Sequence, residues 1–487
     1  MKLIYGIKDK PKFGQNLVFA IQQLLAIMTA TLVVPVITGN GMQPAAALFG
    51  AGAGTLVYVL FTKASSPVFL GSSFAFLGSM AAAFAGAATV EVGYLGLILG
   101  AIFAGLVYVA IAIVVKIVGV GWVNKLMPAV VIGPTVSIIG LSLAGNAVGD
   151  LVKGNISRMV QSEIPAETIA TIKGALSPEI AATIPEKLTA SVSASFAAPL
   201  ACVVCGIITL IVVALCSTFG KKTARMIPFI IGILVGYAVA GVMTIIGFAA
   251  GIDALKILNI EPFRALVADG ITLNTFITIP EFTFLTALGG FKEITGSYIG
   301  TIAVAYVPVA FVVFAEHIAD HKNISSIIEK DLLEDPGLSR TLLGDGIGSM
   351  VGAIFGGCPN TTYGESVGCV AISGCASVST IILTAICAIV VSFVSPFVAF
   401  VNSIPSCVMG GVCMALYGFI AVSGLKMVQE VDLNENRNLF VVSTILIAGI
   451  GGLTLTFGKV TVTSIAAALI LGIIVNIVLS PADKKKD

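Results

Sequence analysis

The residues of this chain best suited to do chemistry stand together at the end of a long apolar run. The segment Glu316-His317-Ile318-Ala319-Asp320-His321 holds both histidines of the 487 residues, whereas positions 294–315 carry no charge. Glu316 and Asp320 are four residues apart and therefore share one face of a helix. Because a carboxylate at membrane depth is costly unless it is paired or used, the cluster predicts either a functional site or the point where a helix leaves the bilayer.

The two histidines raise the alternative of a bound metal ion. His317 and His321 have the spacing that two metal-ligating histidines on one helix face show. The pattern is not His-Glu-x-x-His, however, and Lys322 follows directly. We therefore expect the carboxylates to carry the chemistry, the histidines to support them, and neither a metal ion nor another cofactor to bind.

The composition places this cluster in a membrane protein. Mean hydropathy is +1.07, 57% of the residues are hydrophobic and 10% are charged, which excludes an ordinary soluble protein. The lysines near the N-terminus precede an apolar stretch that continues into further apolar runs, so a cleavable signal peptide is not expected. Most of the nine cysteines lie inside apolar runs and are interpreted as small packing residues.

The spans follow from the lengths of the apolar runs. Runs long enough to cross a bilayer lie near residues 15–36, 46–62, 92–115, 126–147, 196–217, 226–250, 300–320, 341–356, 376–400, 403–423, 437–455 and 460–480. Two further runs, 66–88 and 359–375, are interrupted by Gly, Pro, Ser and Thr and are interpreted as broken spans. Together they predict about fourteen transmembrane segments. The polar stretches 148–195 and 251–293 become external loops, and 321–340 becomes a cytoplasmic connection.

The charges test this topology, because an even number of spans places both termini on one side. With that side cytoplasmic, 18 of the 26 Lys and Arg residues lie inside, as the positive-inside rule requires. These are Lys2, Lys8, Lys10, Lys12, Lys63, Lys116, Lys125, Lys221, Lys222, Arg225, Lys322, Lys330, Arg340, Lys426, Arg437, Lys484, Lys485 and Lys486. We predict a multi-pass protein of the cell membrane with both termini cytoplasmic.

The two interrupted runs resemble each other. Ser72-Ser73-Phe74-Ala75-Phe76 matches Thr361-Thr362-Tyr363-Gly364-Glu365 in hydroxyl, hydroxyl, aromatic and small residues, and the fifth position differs. The segment 128–133 parallels 405–410 at a similar offset of about 280 residues. Two halves of seven spans must be inverted relative to each other. Inverted repeats with a broken segment in each half are typical of secondary transporters, which bind substrate at the midplane, whereas a channel or a membrane enzyme would not require them.

The broken segments also indicate what a site there would bind. Their backbone N–H groups are unpaired, and small residues at Ala75 and Gly364 would let a ligand approach them. Phe74 and Tyr363 offer aromatic faces, although ordinary helix packing explains these two residues equally well, and Glu365 adds a carboxylate. Donors, carboxylates and aromatic faces suit a small planar heterocycle with N–H groups and carbonyl oxygens. They suit an anion poorly, because carboxylates repel it.

Seven motifs stand out along the chain: A-E-H-I-A-D-H (315–321), K-D-L-L-E-D-P-G-L (330–338), P-N-T-T-Y-G-E-S-V-G (359–368), G-S-S-F-A-F (71–76), L-V-V-P-V (32–36), P-S-C-V-M-G-G-V (405–412) and V-D-L-N-E-N-R-N-L (431–439). They resemble motifs of the nucleobase/ascorbate transporter family, and specifically of its bacterial uracil permease branch. The resemblance covers nearly the whole chain, and P-N-T-T-Y-G-E is a specific signal. The loop 148–195 is longer than is usual in the family.

The resemblance implies a fold: an all-α membrane protein of two inverted seven-segment repeats, with short strands in broken third and tenth segments. A core domain would comprise residues 1–120 and 256–400. A gate domain would comprise residues 121–255, with the external loop, and 401–487.

The resemblance also implies the groups that hold a nucleobase. Glu316 and Glu365 would accept its N–H groups, and the backbone amides of Phe74 and Gly364 would bind its carbonyl oxygens. Glu316 would then lie in the substrate site rather than at the membrane exit.

Further positions would surround that site. Tyr363, together with Phe74, would shape the pocket, Tyr417 would close over it from the gate side, and Ala30 would pack beside it as a small residue. Asp320 matches an acidic position of the family where some uracil permeases have His. Asp320, His317 and His321 would support proton coupling by Glu316.

The function implied is secondary active import of uracil by alternating access. Symport with a proton is expected, Na⁺ remains an alternative, and the lipid bilayer is the other partner. No enzymatic activity and no nucleic-acid binding are expected, and a homodimer is left open.

The sequence departs from the family pattern at three positions, where Ser366 replaces Asn and Ser373 and Gly374 replace Thr and a basic residue. Glu365 stands where purine carriers usually have Gln, which favours uracil. A xanthine- or urate-type purine symporter is the main alternative, and a sulfate-permease-type anion carrier is a weaker one.

Overall fold

Long apolar helices make up most of the computed structural model, which describes residues 3–154, 157–163, 189–195, 197–221, 224–225, 227–268, 270–457 and 460–480. Most of the predicted external loop 148–195, Lys222 and the terminal lysines lie outside the described residues. Among those described, eight helical stretches are long and apolar enough to cross a membrane, and four shorter helices are apolar. The chain is therefore a helical, multi-pass membrane protein.

The elements of the first half alternate long helices with short strands and turns. They are α1 (Phe13–Thr38), α2 (Pro44–Phe61), β1 (Leu70–Ser72), α3 (Leu77–Ala85), α4 (Val90–Val118), α5 (Gly121–Leu126), α6 (Ala129–Ser142), α7 (Ala144–Leu151), β2 (Ser157–Glu163), β3 (Thr189–Ser195), α8 (Pro199–Phe219) and α9 (Pro228–Ala249). A turn of 3₁₀-helix, Phe74–Phe76, joins β1 to α3.

The second half follows the same scheme. Its elements are α10 (Glu261–Ala265), α11 (Thr283–Gly290), α12 (Gly296–Ile328), α13 (Leu338–Gly356), β4 (Asn360–Thr362), α14 (Gly364–Ser373), α15 (Val378–Val391), α16 (Ser395–Ser403), α17 (Ser406–Val428), α18 (Asn436–Ile450), β5 (Leu455–Phe457), β6 (Val460–Val462) and α19 (Ser464–Leu479). The strands among the described residues form three antiparallel pairs, β1–β4, β2–β3 and β5–β6, and only the first was expected from the broken segments.

Helix α12 corrects one boundary. Residues 321–328, which were predicted to belong to a cytoplasmic connection, continue the helix, so the Glu316–His321 cluster lies within it. The helix continues beyond the apolar run because its backbone hydrogen bonds form in water as well as in lipid. It ends where Glu329 adopts a left-handed conformation with φ 53°. In the connection that follows, Lys330 Nζ lies 2.8 Å from Asp335 Oδ2, and this ammonium lowers the pKa of the Asp335 carboxyl.

The pair β1–β4 joins the two halves through a symmetric ladder. Gly71 lies opposite Thr361, and the ladder extends through Ser73 N–H to Pro359 O (2.9 Å) and Tyr363 N–H to Phe69 O (3.3 Å). This register makes Phe74 equivalent to Gly364. The sequence match had paired Phe74 with Tyr363 and is therefore one residue out of register, because it aligned side-chain types whereas the ladder is set by backbone groups.

Close packing of α2 against α13 holds this strand pair in place. Gly50 and Gly54 on α2 face Gly348 and Gly352 on α13, and a Cβ atom on Gly50 would lie 3.2 Å from Gly352 Cα. Small residues at a spacing of four let membrane helices approach this closely. Each helix leads into one strand, and Asn360 Nδ2 donates to Gly50 O at 3.2 Å, so the crossing fixes both strands.

A second crossing joins α6 to α17, the helices that follow Pro128 and Pro405. Ser137 Oγ donates to Ala421 O at 3.1 Å, and α17 carries Tyr417. The second pair of similar sequence segments therefore occupies corresponding positions, each at the start of one of two packed helices.

Candidate substrate site

A cavity of about 460 Å³, the central cavity, lies beside α12 and the starts of the two helical segments that follow β1 and β4. Six residues predicted from the sequence line it, namely Phe74, Glu316, Asp320, Tyr363, Gly364 and Glu365. The β1–β4 ladder brings the Phe74 and Gly364 segments together, and α12 presents its two carboxylates to the same space. Residues almost 300 positions apart in the chain thus form one site.

The two carboxylates of α12 differ in their hydrogen bonds. Thr362 Oγ1 donates to Asp320 Oδ2 at 2.8 Å and so ties α12 to β4. Glu316 Oε2 is buried and accepts no hydrogen bond from the described residues, although this side chain as a whole is half-buried. An unsatisfied buried acceptor is costly, so Glu316 is the acceptor most available to a ligand.

Backbone donors come from the first residues of two helical segments. Phe74 begins the 3₁₀ turn and Gly364 begins α14, and the first N–H groups of a helix have no acceptor within it. At Gly364 a Cβ atom would meet only Asp320 Oδ1, at 3.7 Å, so the backbone there is open on the cavity side. Unpaired amides at a helix start favour an electron-rich oxygen of a ligand.

The aromatic residues are held by the strand pair and by α17. Tyr363 OH donates to Ser72 O at 2.7 Å, which fixes its ring across the ladder. The Phe74 and Tyr417 rings pack edge to face with centroids 5.4 Å apart. Tyr417 and Ala30 are buried and do not line the central cavity. Ala26, one turn before Ala30 on α1, does line it.

The histidines lie away from this cavity. His317 Nδ1 is 2.7 Å from Asp345 Oδ2, and its Nε2 is 3.0 Å from Thr341 Oγ1, both on α13. His321 Nε2 lies 2.8 Å from Tyr58 OH on α2, and the two imidazole rings stack 4.0 Å apart. Across the described ranges, no group of three or more His, Cys, Asp or Glu side chains is placed to hold a metal ion.

Two charged residues of this region were not predicted from the sequence to lie at or beside the site. Asp345 is the buried partner of His317, and the rule that singled out Glu365, a carboxylate within an apolar run, would have found it too. Arg225 also lines the central cavity and is exposed. Only the fold brings Arg225 near the carboxylates, because it is distant from them in sequence.

Substitution Asp345→Ala is expected to destabilise the protein by about 2 kcal/mol, because it leaves a buried imidazole without its hydrogen-bond partner. Asp345→Asn keeps one acceptor oxygen and should cost less. Thermal unfolding in detergent would measure both, with Glu334→Ala, an exposed position in the 329–337 connection, as the control. An unchanged unfolding temperature in Asp345→Ala would contradict a structural role for the pair.

The fold and the central cavity define the class of the protein. A bundle of apolar helices with a cavity at the starts of two helical segments is typical of a membrane transporter rather than of an enzyme. Comparison with known proteins supports this class. The model of the xanthine and uracil permeases, described as "Permease family", matches residues 14–170 and 175–458. The chain therefore belongs to this family, the nucleobase/ascorbate transporters, and the resemblance seen in its motifs is confirmed.

Individual relatives match over nearly the full length. The uracil permease of Bacillus subtilis (strain 168) is 34% identical over 493 residues, covering 100% of this chain and 97% of that protein. The uracil permease of Escherichia coli (strain K12) is 32% identical over 471 residues, covering 96% and 92%. The similarity to these permeases thus extends over nearly the whole chain.

Solved structures support the fold alone. The transmembrane domain of a cyanobacterium bicarbonate transporter, BicA, has a TM-score of 0.59 at 16% identity and covers 97% of this chain and 100% of that one. The overall structure of SLC26A9 gives a TM-score of 0.54 at 12% identity and covers 98% of this chain and 67% of that one.

Proposed function

We propose that this protein is a secondary active transporter that imports uracil by symport with a cation. The observation that carries the proposal is the meeting of Glu316, Glu365 and the Phe74 and Gly364 backbone at one cavity. The relatives named as uracil permeases match it over nearly their whole length, which supports the same substrate.

The chemistry of uracil fits these groups. The ring is planar, with two N–H donors and two carbonyl acceptors. Glu316 and Glu365 accept the N–H groups, while the Phe74 and Gly364 amides donate to the carbonyl oxygens. Tyr363 and Phe74 contact the ring. A volume of about 460 Å³ leaves room for a single small heterocycle and water.

We propose fourteen spans in two inverted halves for the membrane topology. The symmetric β1–β4 ladder, with a short helix after each strand, supports broken third and tenth segments. The core domain then comprises residues 1–120 and 256–400, and the gate domain 121–255 and 401–487. The central cavity is lined from both, since Glu316 and Glu365 belong to the core and Arg225 to the gate.

Alternating access is supported by two cavities that share one residue. The central cavity reaches Arg225 and Asn323, both exposed, at the end predicted to be cytoplasmic. A second cavity of about 310 Å³ borders the other side of Phe74. Phe74, packed on Tyr417, lies between the two cavities, and in the proposed topology the central cavity faces the inside. Movement of α17 relative to β1 would open the second path.

Coupling by a proton predicts concentrative uptake. A carboxyl at Glu316 or Glu365 takes up a proton with the substrate outside and releases both inside, so one net charge moves inward. That movement contributes about 2.3 kcal/mol per 100 mV, or roughly forty-fold accumulation. Labelled uracil uptake into proteoliposomes, with ΔpH and ΔNa⁺ imposed separately, measures it.

Each outcome of this experiment is decisive for one part of the proposal. Uptake driven by ΔpH supports proton symport, whereas uptake driven by ΔNa⁺ alone would make Na⁺ the coupling ion. Uptake that ignores both gradients would contradict symport. Stronger competition by xanthine than by unlabelled uracil would make the protein a purine carrier. Sulfate competition would indicate an anion carrier, which the three carboxylates around the cavity disfavour.

A further inference from the structure

A buried bridge connects α1 to the first turn of α14, behind the central cavity. Gln23 on α1 is 3% exposed and Ser366 on α14 is fully buried. Gln23 Nε2 donates to Ser366 Oγ at 2.5 Å and lies 3.4 Å from the Ser366 carbonyl oxygen. Neither residue lines the central cavity. A polar contact of this kind, buried in an apolar bundle, is costly to form unless every donor and acceptor finds its partner.

The same hydroxyl also holds the chain that enters β1. Phe69 N–H donates to Ser366 Oγ at 3.1 Å, while Phe69 O accepts from Tyr363 N–H at 3.3 Å. A serine hydroxyl has two acceptor lone pairs, and both are used here. Ser366 therefore joins α1, the start of β1 and the first turn of α14 at a single oxygen atom.

The bridge lies next to the groups proposed to bind the ligand. Gly364, Glu365 and Ser366 are the first three residues of α14, so whatever fixes Ser366 also fixes the direction of the Gly364 amide and the Glu365 carboxylate. Helix starts have few internal hydrogen bonds of their own. An external clamp on the third residue limits the movement of the first two.

We propose that Gln23 and Ser366 are positioning residues that orient the first turn of α14 and thereby set the affinity of the site for its nucleobase. This inference rests on the proposed function. Without the bridge, the groups of α14 that bind the ligand remain present but are no longer held in the binding geometry. Binding must then order these groups, and the entropy lost in doing so weakens the affinity.

A double-mutant cycle with Gln23→Leu and Ser366→Ala tests the inference. Gln23→Leu keeps the volume of the side chain and removes its donor. Gln23→Leu is expected to raise KM for uracil uptake about tenfold, the effect of one buried hydrogen bond, with the maximal rate within about twofold. Ser366→Ala should raise KM at least as much, because it also removes the acceptor of Phe69 N–H. The double variant should be no worse than Ser366→Ala alone, because that variant already lacks the contact that Gln23→Leu removes. Gln22→Leu, the same change one position earlier, is the matched control.

Hydrogen–deuterium exchange provides a measurement that needs no nucleobase. In both single variants, exchange in a peptide covering residues 363–370 should be faster, while exchange in α6 and α17 should stay unchanged. An unchanged KM in Gln23→Leu, additive effects in the double variant, or aggregation of Gln23→Leu on size-exclusion chromatography would each overturn the inference. If the wild-type protein takes up no uracil, the proposed function fails, and the exchange experiment still decides whether the bridge orders α14.

Discussion

Substitution Glu316→Gln is expected to abolish concentrative uptake of uracil. Glu316 Oε2 is buried with no hydrogen-bond donor from the described residues, so an N–H group of the ligand is its natural partner. Hydrogen bonds to a charged acceptor contribute about 1.5–3 kcal/mol, and a Gln amide also turns a donor toward the ligand N–H. The upper end of that range corresponds to a loss of affinity of roughly 100-fold.

Two measurements separate the roles of Glu316. Calorimetry on the purified protein measures affinity, and proteoliposome uptake under an imposed ΔpH measures transport. Loss of both identifies a ligand to the substrate, whereas loss of transport with normal affinity identifies a coupling residue only. Glu334→Gln makes the same chemical change at an exposed position and should behave as wild type. Normal affinity and normal uptake in Glu316→Gln would refute the site assignment.

The parts of this site that could be predicted from the sequence are those marked by local chemistry. Glu316 and Glu365 stood out because carboxylates are rare in apolar runs, and Gly364 because a small residue interrupts a span. The helices were also predictable, since run length alone identifies a candidate span. Side chains that differ from their surroundings therefore pointed to the region where the central cavity lies.

Contacts between distant elements were not predictable in the same way. The stacked histidines of α12 face Asp345, Thr341 and Tyr58 rather than the cavity, because one helix presents different faces to the ligand and to its neighbours. Spacing along α12 shows that two groups share a face, but which face meets the cavity depends on how α2 and α13 pack. The register of β1 against β4 differs by one residue from the sequence match. It likewise depends on the packing of α2 against α13 at their glycines, which precedes both strands.

Substitution Glu365→Ala is expected to reduce the affinity for uracil roughly 100-fold, because it removes a carboxylate that accepts a ligand N–H. Glu365 is half-buried in the first turn of α14, beside the Gly364 amide that is proposed to bind a carbonyl oxygen. Glu365→Gln keeps one acceptor oxygen and adds a donor. Its loss for uracil should therefore be smaller, near tenfold, and purines that present an additional acceptor should compete better.

Competition uptake distinguishes these effects. Uptake of labelled uracil is measured in wild type, Glu365→Ala and Glu365→Gln. Unlabelled uracil, xanthine or hypoxanthine is added as competitor, which gives the relative affinities of each protein for the three nucleobases. Glu430→Gln, an exposed glutamate beyond α17, controls for the loss of a charge. If Glu365→Ala stays within about threefold of wild type, Glu365 is not a ligand. Equal loss for every nucleobase in Glu365→Gln would mean that Glu365 contributes affinity without selecting between pyrimidines and purines, because specificity is a difference of affinities.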